Sequence, residues 1–320
     1  MNMKTKHIFL FLAALPILLT SCEKVVDIDE TESQLVLNGV PTADKRAFVY
    51  FANTRFFLDG SNDHPVNGAQ LTLTVNGVPY TPDSVAHSKY FFAPILQAGD
   101  SLSIDITTPR GPVHAETYVP LMPDVDNFNI RTYKSPTFNF VQASFNLNDH
   151  AGVDEIYRVN VTVRDSGLHY NAWTDAYDTI DTVRNTYFIV RDQAITADNV
   201  CPYLPLGGYL YSTLMFLDRN IDGQNHSTQI NILQLTDTNE VHPYLHQYMV
   251  DVQSVTPARF NYIISSSQQN NMTSFFTEAG EVRGNVSGAL GVFAGQASLR
   301  FTYDTVTTTP ADTVVHRRRH

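Results

Sequence analysis

Strict alternation of apolar and polar residues constrains this chain more than any other feature. In "SLSIDITT" (101–108), Leu102, Ile104 and Ile106 alternate with Ser103, Asp105 and Thr107. "FVQASFNLND" alternates Val141, Ala143, Phe145 and Leu147 with polar partners. "IYRVNVTVR" sets Tyr157, Val159, Val161 and Val163 against Arg158, Asn160, Thr162 and Arg164. A period of two with one polar face is the pattern of an antiparallel sheet packed on one side. Further strands are expected at 35–38, 48–51, 71–75, 186–190, 210–217, 228–235, 259–265 and 297–303. The fold class is therefore all-β: an immunoglobulin- or transthyretin-like sandwich over 33–120, then a larger β-rich domain over 124–304 with one or two short helices.

Turn chemistry supports this division. Asn38-Gly39 and Asn76-Gly77 each follow an apolar alternating run, and Asn-Gly is a strong short hairpin cue. "VPLMPDVDN" (119–127) carries Pro120 and Pro123 without an apolar period, and serves as the link between domains. One helix is expected near 237–252. There Val241, Tyr244, Leu245, Tyr248 and Met249 follow the helical spacing, with Asp237 or Thr238 as cap and Pro243 in the first turn.

The front end fixes the compartment. Lys4 and Lys6 precede an apolar run from Ile8 to Leu19, too short to span a bilayer, and together they read as an export signal over 1–21. Leu19-Thr20-Ser21-Cys22 resembles the lipobox of bacterial lipoproteins, in which the cysteine is acylated and becomes the first residue. Two or more acyl chains anchor a protein stably where one does not. Cys22 is thus the expected lipidation site and the membrane anchor. Cys201, the other of the two cysteines, is left without a disulfide partner and has no nearby base to activate it.

The chain carries a formal net charge of −11, and removal of the signal takes away two lysines and no acid. A net-acidic exported protein lacks the basic surface that nucleic acid requires. Behind Cys22, residues 22–32 form an acidic tether with Glu23, Asp27, Asp29, Glu30 and Glu32, which like charges hold extended. These acids also resemble the signal that sends Bacteroidota lipoproteins to the cell surface. The tail, 305–320, ends in Arg317–Arg319 and is expected to be solvated.

Several pieces together resemble an uncharacterised family of Bacteroidota outer-membrane lipoproteins often encoded beside TonB-dependent receptors. They are the lipobox with "VVDI" behind it, "LVLNG", "VNGAQLTLTVNG", "AGDSLSIDITTPRGPVHAETYVP", "FLDRNIDG" and "FFTEAGEVRGNVSGALGVFAG". The last carries Asn285, Val286, Gly288, Gly291 and Phe293. These motifs are turns and strand edges. The resemblance implies an outer-membrane location, a surface-facing lipid anchor and a TonB-dependent receptor or other outer-membrane protein as partner, but no reaction.

No Gly-x-Ser-x-Gly elbow, phosphate-cradling glycine loop or His-Glu-x-x-His is present, so the chain is read as a non-enzyme without cofactors. The expected function is a binding accessory to a transporter. A structural envelope scaffold and a surface hydrolase are the competing classes. Asp218, Asn220 and Asp222, before Gly223, match the first half of a calcium loop, but Gln229 stands where the acidic twelfth ligand belongs. No metal is assigned, and a turn at a hairpin tip is preferred. His242 and His246 would share a face of the expected helix, a spacing zinc can use, yet no further ligand is near. The glycines at 288 and 291 are expected in a tight turn or bulge that sends Phe293 into the core of the second domain. Adjacent aromatics in "YFFA" (90–93), "YLYSTLMF" (209–216) and "SFFTE" (274–278) must each send one ring outward if they lie in strands, offering anchors for a peptide, glycan or protein.

Overall fold

In the computed structural model the alternating runs become strands whose apolar faces meet in two separate cores. The structure describes residues 33–54, 64–134, 139–171, 173–174, 176–196, 210–233, 241–270, 282–305 and 315–319. In chain order the first half forms β1 (Leu35–Gly39), β2 (Arg46–Asn53), β3 (Gln70–Val75), β4 (Val78–Tyr80), β5 (Ser84–Ala86), β6 (Lys89–Ile95), β7 (Ser101–Thr108) and β8 (Gly111–Tyr118). One sheet runs β1-β2-β6-β5 and a second runs β4-β3-β7-β8. Between them lie Leu37, Val49, Phe51 and Phe92 from the first sheet, and Leu73, Ile104, Ile106 and Val113 from the second. This is a sandwich, and its inward residues are those the period of two selects.

The second half begins after the link at 119–123. It comprises β9 (Asp124–Lys134), β10 (Asn139–Asn148), β11 (Ile156–Asn171), β12 (Ala176–Asn185), β13 (Phe188–Val190), the short helix α1 (Gln193–Thr196), β14 (Leu210–Tyr211), β15 (Thr213–Leu217), β16 (Asn225–Leu233), β17 (Val241–Val255), helix α2 (Pro257–Asn270), β18 (Leu290–Phe293), β19 (Gln296–Thr305) and β20 (Val315–Arg319). The sheet β14-β13-β16-β10-β9 faces the sheet β12-β11-β17-β19-β20, and β15 also pairs with β11. Phe145, Phe188, Ile230 and Ile232 of one meet Tyr157, Tyr248, Val250 and Phe301 of the other. Met122, in the link, packs against both cores.

Four expectations fail, each for a physical reason. The segment expected as a helix is β17, a central strand paired with β11 from Val241 to Ser254 and with β19 from His246 to Val255. Its Tyr248, Val250 and Val252 point into the core, while Met249 and Asp251 are buried on the other face. With both faces covered, apolar residues occur at either parity and imitate the helical spacing. The converse error falls on 259–265, expected as a strand, which lies within α2: Pro257 takes the first helical position, and the carbonyl of Thr256 accepts the Phe260 amide at 3.0 Å.

The third concerns the closing glycine segment. β18 does not join the second sandwich. It pairs in parallel with β1, Leu37 opposite Gly291 and Gly39 opposite Phe293, and so extends the first sandwich's sheet. Phe293 is fully buried in the first core, not the second. Its ring fills the space above Gly39, where an added Cβ would lie 2.7 Å from the ring. Asn38-Gly39 is therefore not a hairpin tip, and the glycine is there for the ring. Asn76-Gly77 does close the two-residue hairpin between β3 and β4, with φ of 51° and 82°. Gly291 has φ 113° and would place a Cβ 2.1 Å from the Leu37 carbonyl oxygen, so the close approach expected of this segment is present. Fourth, residues 315–319 of the tail form an edge strand against β19.

Candidate functional site

On a sheet with one buried face, the residues of opposite parity are offered to solvent. Across β3, β7 and β8 the register aligns these outward residues in rows: Thr72, Asp105 and His114; Thr74, Ser103 and Glu116; then Ser101 and Tyr118. The last two rows line a shallow depression of about 440 Å³, bordered by Thr74, Gly77, Ser101, Leu102, Ser103, Glu116, Thr117 and Tyr118. The Gly77 turn shapes one end. Asn76 braces it, donating from Nδ2 to Asp100 Oδ1 at 2.7 Å and accepting the Ser101 amide at 2.9 Å. At the other end the Tyr118 ring is 47% exposed, and partial burial of its hydroxyl pushes its pKa up.

The side-chain hydroxyls of Thr74, Ser101 and Ser103 make no hydrogen bond to another described residue, so they turn to solvent. His114 lies beside the depression, with Nδ1 2.7 Å from Asp105 Oδ1 and Nε2 3.3 Å from Glu116 Oε1. The hydrogen bond to Asp105 raises the histidine pKa above its ordinary value. Both ring nitrogens face carboxylates and neither faces a serine, so the group is not a nucleophile–base–acid relay. What the face can do is bind: hydroxyls and a carboxylate exchange hydrogen bonds, and an exposed ring covers apolar ligand surface.

A second cluster of ionisable groups lies elsewhere, at the end of the second sandwich. The fully buried Tyr157 hydroxyl is 2.7 Å from Glu155 Oε2 and 2.9 Å from Asp149 Oδ1. Glu155 Oε2 also meets His150 Nδ1 at 2.9 Å, and Asp149 Oδ2 accepts the Gly223 amide at 2.8 Å. The single hydroxyl proton is divided between the two carboxyl groups, and a proton on either would complete the second contact. Burial pushes Asp149 above the usual carboxylate range.

The candidate calcium residues belong to this cluster's structural bracing. Asp218, 5% exposed, accepts the Glu155 amide at 2.5 Å. Asp222 accepts the Gly152 amide at 2.8 Å, and Asn220 donates to the Ala194 carbonyl at 3.1 Å. The three reach toward different backbone partners instead of converging on one point. Nor is 218–223 a hairpin tip: β15 and β16 belong to opposite sheets, and the turn carries the chain across the sandwich. Among the described residues no group of three or more His, Cys, Asp or Glu side chains could hold a metal ion.

His242 and His246 sit four apart on a strand, where that spacing separates Cα atoms by ~13 Å instead of stacking them. His246 Nδ1 instead pairs with Asp165, which also takes Arg184 Nε at 3.2 Å. Of the aromatic runs, "YFFA" divides as expected: Phe92 is buried, while Phe91 faces outward against Phe48, with the Arg46 guanidinium 5.6 Å from its ring centre. In "YLYSTLMF" the break at Ser212 puts β14 and β15 in different sheets, and Tyr211, Leu214, Met215 and Phe216 are all buried. Cys22, the tether, Cys201 and 274–278 lie outside the described residues. Tyr118 escaped notice in the sequence, although continuing the alternation from Val113 and Ala115 assigns it the outward face.

An all-β protein of two sandwiches, with an open polar face on the first, is thus defined. The chain belongs to the family described as Domain of unknown function (DUF4249), whose model matches residues 23–302. No curated protein matches it. Among solved structures it is similar to a protein from Bacteroides uniformis ATCC 8492 described as a "putative carbohydrate binding protein", at 12% identity and a TM-score of 0.20, covering 89% of this chain and 98% of that one.

Proposed function

We propose that this protein is a non-catalytic binding accessory, held at the outer membrane through acylated Cys22 and facing the cell surface. In this reading it works beside a TonB-dependent receptor, presenting ligand from the first sandwich. The observation that carries the binding role is the depression across β3, β7 and β8, where uncommitted hydroxyls, Glu116 and the half-exposed Tyr118 ring share one open face. Anchor and partner rest on the sequence: the lipobox-like junction, the acidic tether and the family resemblance.

Affinity purification of the full mature chain from native outer membranes tests the whole reading. The expected result is recovery of a TonB-dependent receptor together with a soluble ligand. Tyr118→Ala should lose the ligand and keep the receptor, and Cys22→Ala should release the protein from the membrane. Retention of ligand by Tyr118→Ala would move the binding site elsewhere, and membrane retention of Cys22→Ala would remove the lipid anchor from the proposal.

A further inference from the structure

Buried polar atoms without partners are rare in folded proteins, and a clustering of them calls for an explanation. Among the described residues six such side-chain atoms occur, and four belong to one junction, where β17 passes into α2 beside the start of β19. They are Ser254 Oγ, Thr256 Oγ1, Arg259 Nε and Gln296 Oε1. Ser254 and Thr256 are only 2% and 1% exposed. The register holds the junction together: Val255 lies opposite Gln296, and the Thr256 amide donates to the Gly295 carbonyl at 3.1 Å.

Arg259 is the charged member of the group: its Nε is buried, although the residue as a whole is only partly covered. An arginine is always charged, and covering part of that charge without a counter-charge is unfavourable. Burial, then the neighbouring Arg158, pull its pKa below the ordinary arginine value. No ion pair joins Arg259 to a described carboxylate. Asp251, the buried acid of β17, is committed to Arg300, which holds it with Nε and Nη2 at 2.7 and 2.9 Å. Arg158 donates to the neutral oxygens of Thr213 and Gln253 at 3.0 and 3.4 Å.

The helix adds positive potential in the same place. Arg259 is in the first turn of the 14-residue α2, and that turn contains no acidic residue. A cation there opposes the helix dipole, whereas an anion would be favoured by it. Thr256 is at the capping position, yet its hydroxyl makes no capping bond, and the Ala258 and Arg259 amides have no hydrogen-bond acceptor among the described residues. Two amides, one hydroxyl and the Arg259 Nε–H therefore stand as donors without an acceptor among the described residues.

We propose that the first turn of α2, with Arg259, Thr256 and the free amides of Ala258 and Arg259, binds an oxyanion carried by a ligand, a carboxylate or a phosphate. Such a group accepts several N–H donors at once and neutralises the guanidinium, which can grip it with two parallel bonds. The site uses none of the residues of the depression on the first sandwich, and it stands or falls independently of the proposed function.

The test is calorimetric unfolding of the full mature chain in detergent, in sodium chloride, sodium phosphate and sodium acetate at matched ionic strength. Wild type should melt roughly 5 °C higher at saturating phosphate or acetate than in chloride. A rise with phosphate alone identifies a phosphate site, and a rise with acetate alone a carboxylate site. Arg259→Met should melt no lower than wild type in chloride, because it removes a partly buried charge without a counter-charge, and should lose the anion response. Arg259→Lys, which keeps the charge without the planar fork, should retain a reduced response. Equal midpoints for wild type in all three salts would overturn the proposal, as would an undiminished response in Arg259→Met. It would also fail if wild type gave no anion response while Glu278→Gln with Glu281→Gln lowered stability in chloride and gained one, since an acid of the chain itself would then occupy the site in wild type.

Discussion

The two sandwiches bury their inner faces alike and treat their outer faces differently. In the second, outward polar residues are joined strand to strand. Arg300 holds Asp251, Arg164 holds Asp181, and Gln247 donates to Asp304 at 2.6 Å. On its other sheet Arg131, Gln142 and Asn231 form a similar ladder. In the first sandwich one row is joined in the same way, Asp105 to His114, but Thr74, Ser101 and Ser103 in the neighbouring rows make no such bonds to described residues. A face whose polar groups satisfy one another gains rigidity and has little left for a ligand. A face that leaves them to water can exchange that water for ligand groups at small net cost.

The cores also differ in how they are completed. The second draws its main strands from one stretch of chain. The first needs β18, whose sequence position follows all but the last strands of the second. Phe293→Ala should therefore produce the largest effect, a loss of ~3–5 kcal/mol, the usual result of truncating a buried phenylalanine. Hydrogen exchange should place that loss in β1 and β2 of the first sandwich. Loss confined to β11, β17 and β19 would break the comparison, because the segment would then be supporting the second core.

A smaller effect is expected from Tyr157→Phe, which leaves two neighbouring carboxyl groups without the hydroxyl between them. Denaturant unfolding should show a loss of ~1–3 kcal/mol. Its pH dependence sharpens the contrast. The Glu155 hydrogen bond raises His150, so its contribution is complete below the ordinary histidine value and disappears as pH rises through the raised one. Asp149 is raised by burial, so it too favours the folded state at lower pH and ceases to do so as pH rises through its elevated value. Both slopes have the same sign, and the second sandwich should lose stability as pH rises above the ordinary aspartate value and again above the ordinary histidine value. Asp181, held at about 2 chiefly by Arg164 and then Ser166, has the opposite slope, but it titrates at more acid pH. Tyr157→Phe should cost more at pH 8 than at pH 5. A flat profile would mean that no proton is shared in the cluster.

The smallest effect belongs to the open face. Tyr118→Ala should change stability by less than about 0.5 kcal/mol, as for surface positions generally. A loss comparable to that of Phe293→Ala would show that the ring is a structural part of the sandwich and not a ligand contact.

Alternation in the sequence was sufficient to determine that the protein is all-β, to assign Leu102, Ile104 and Ile106 or Val159, Val161 and Val163 to a core, and to place a turn at Asn76-Gly77. These are local matters, since a strand's period and a turn's backbone angles depend on adjacent residues. Parity also carried the outward position of Tyr118. Tertiary structure alone decided that 241–255 is a strand and 257–270 a helix, because burial on both faces of β17 erased the period that distinguishes them. It alone decided that β18 crosses to β1, since a short apolar strand pairs with whichever edge offers room, and Gly39 supplies that room from 254 residues away in the chain. The partnerless Arg259 was equally invisible: whether a guanidinium meets a carboxylate depends on which strands lie side by side, and pairing of that kind is a property of the assembled sheets.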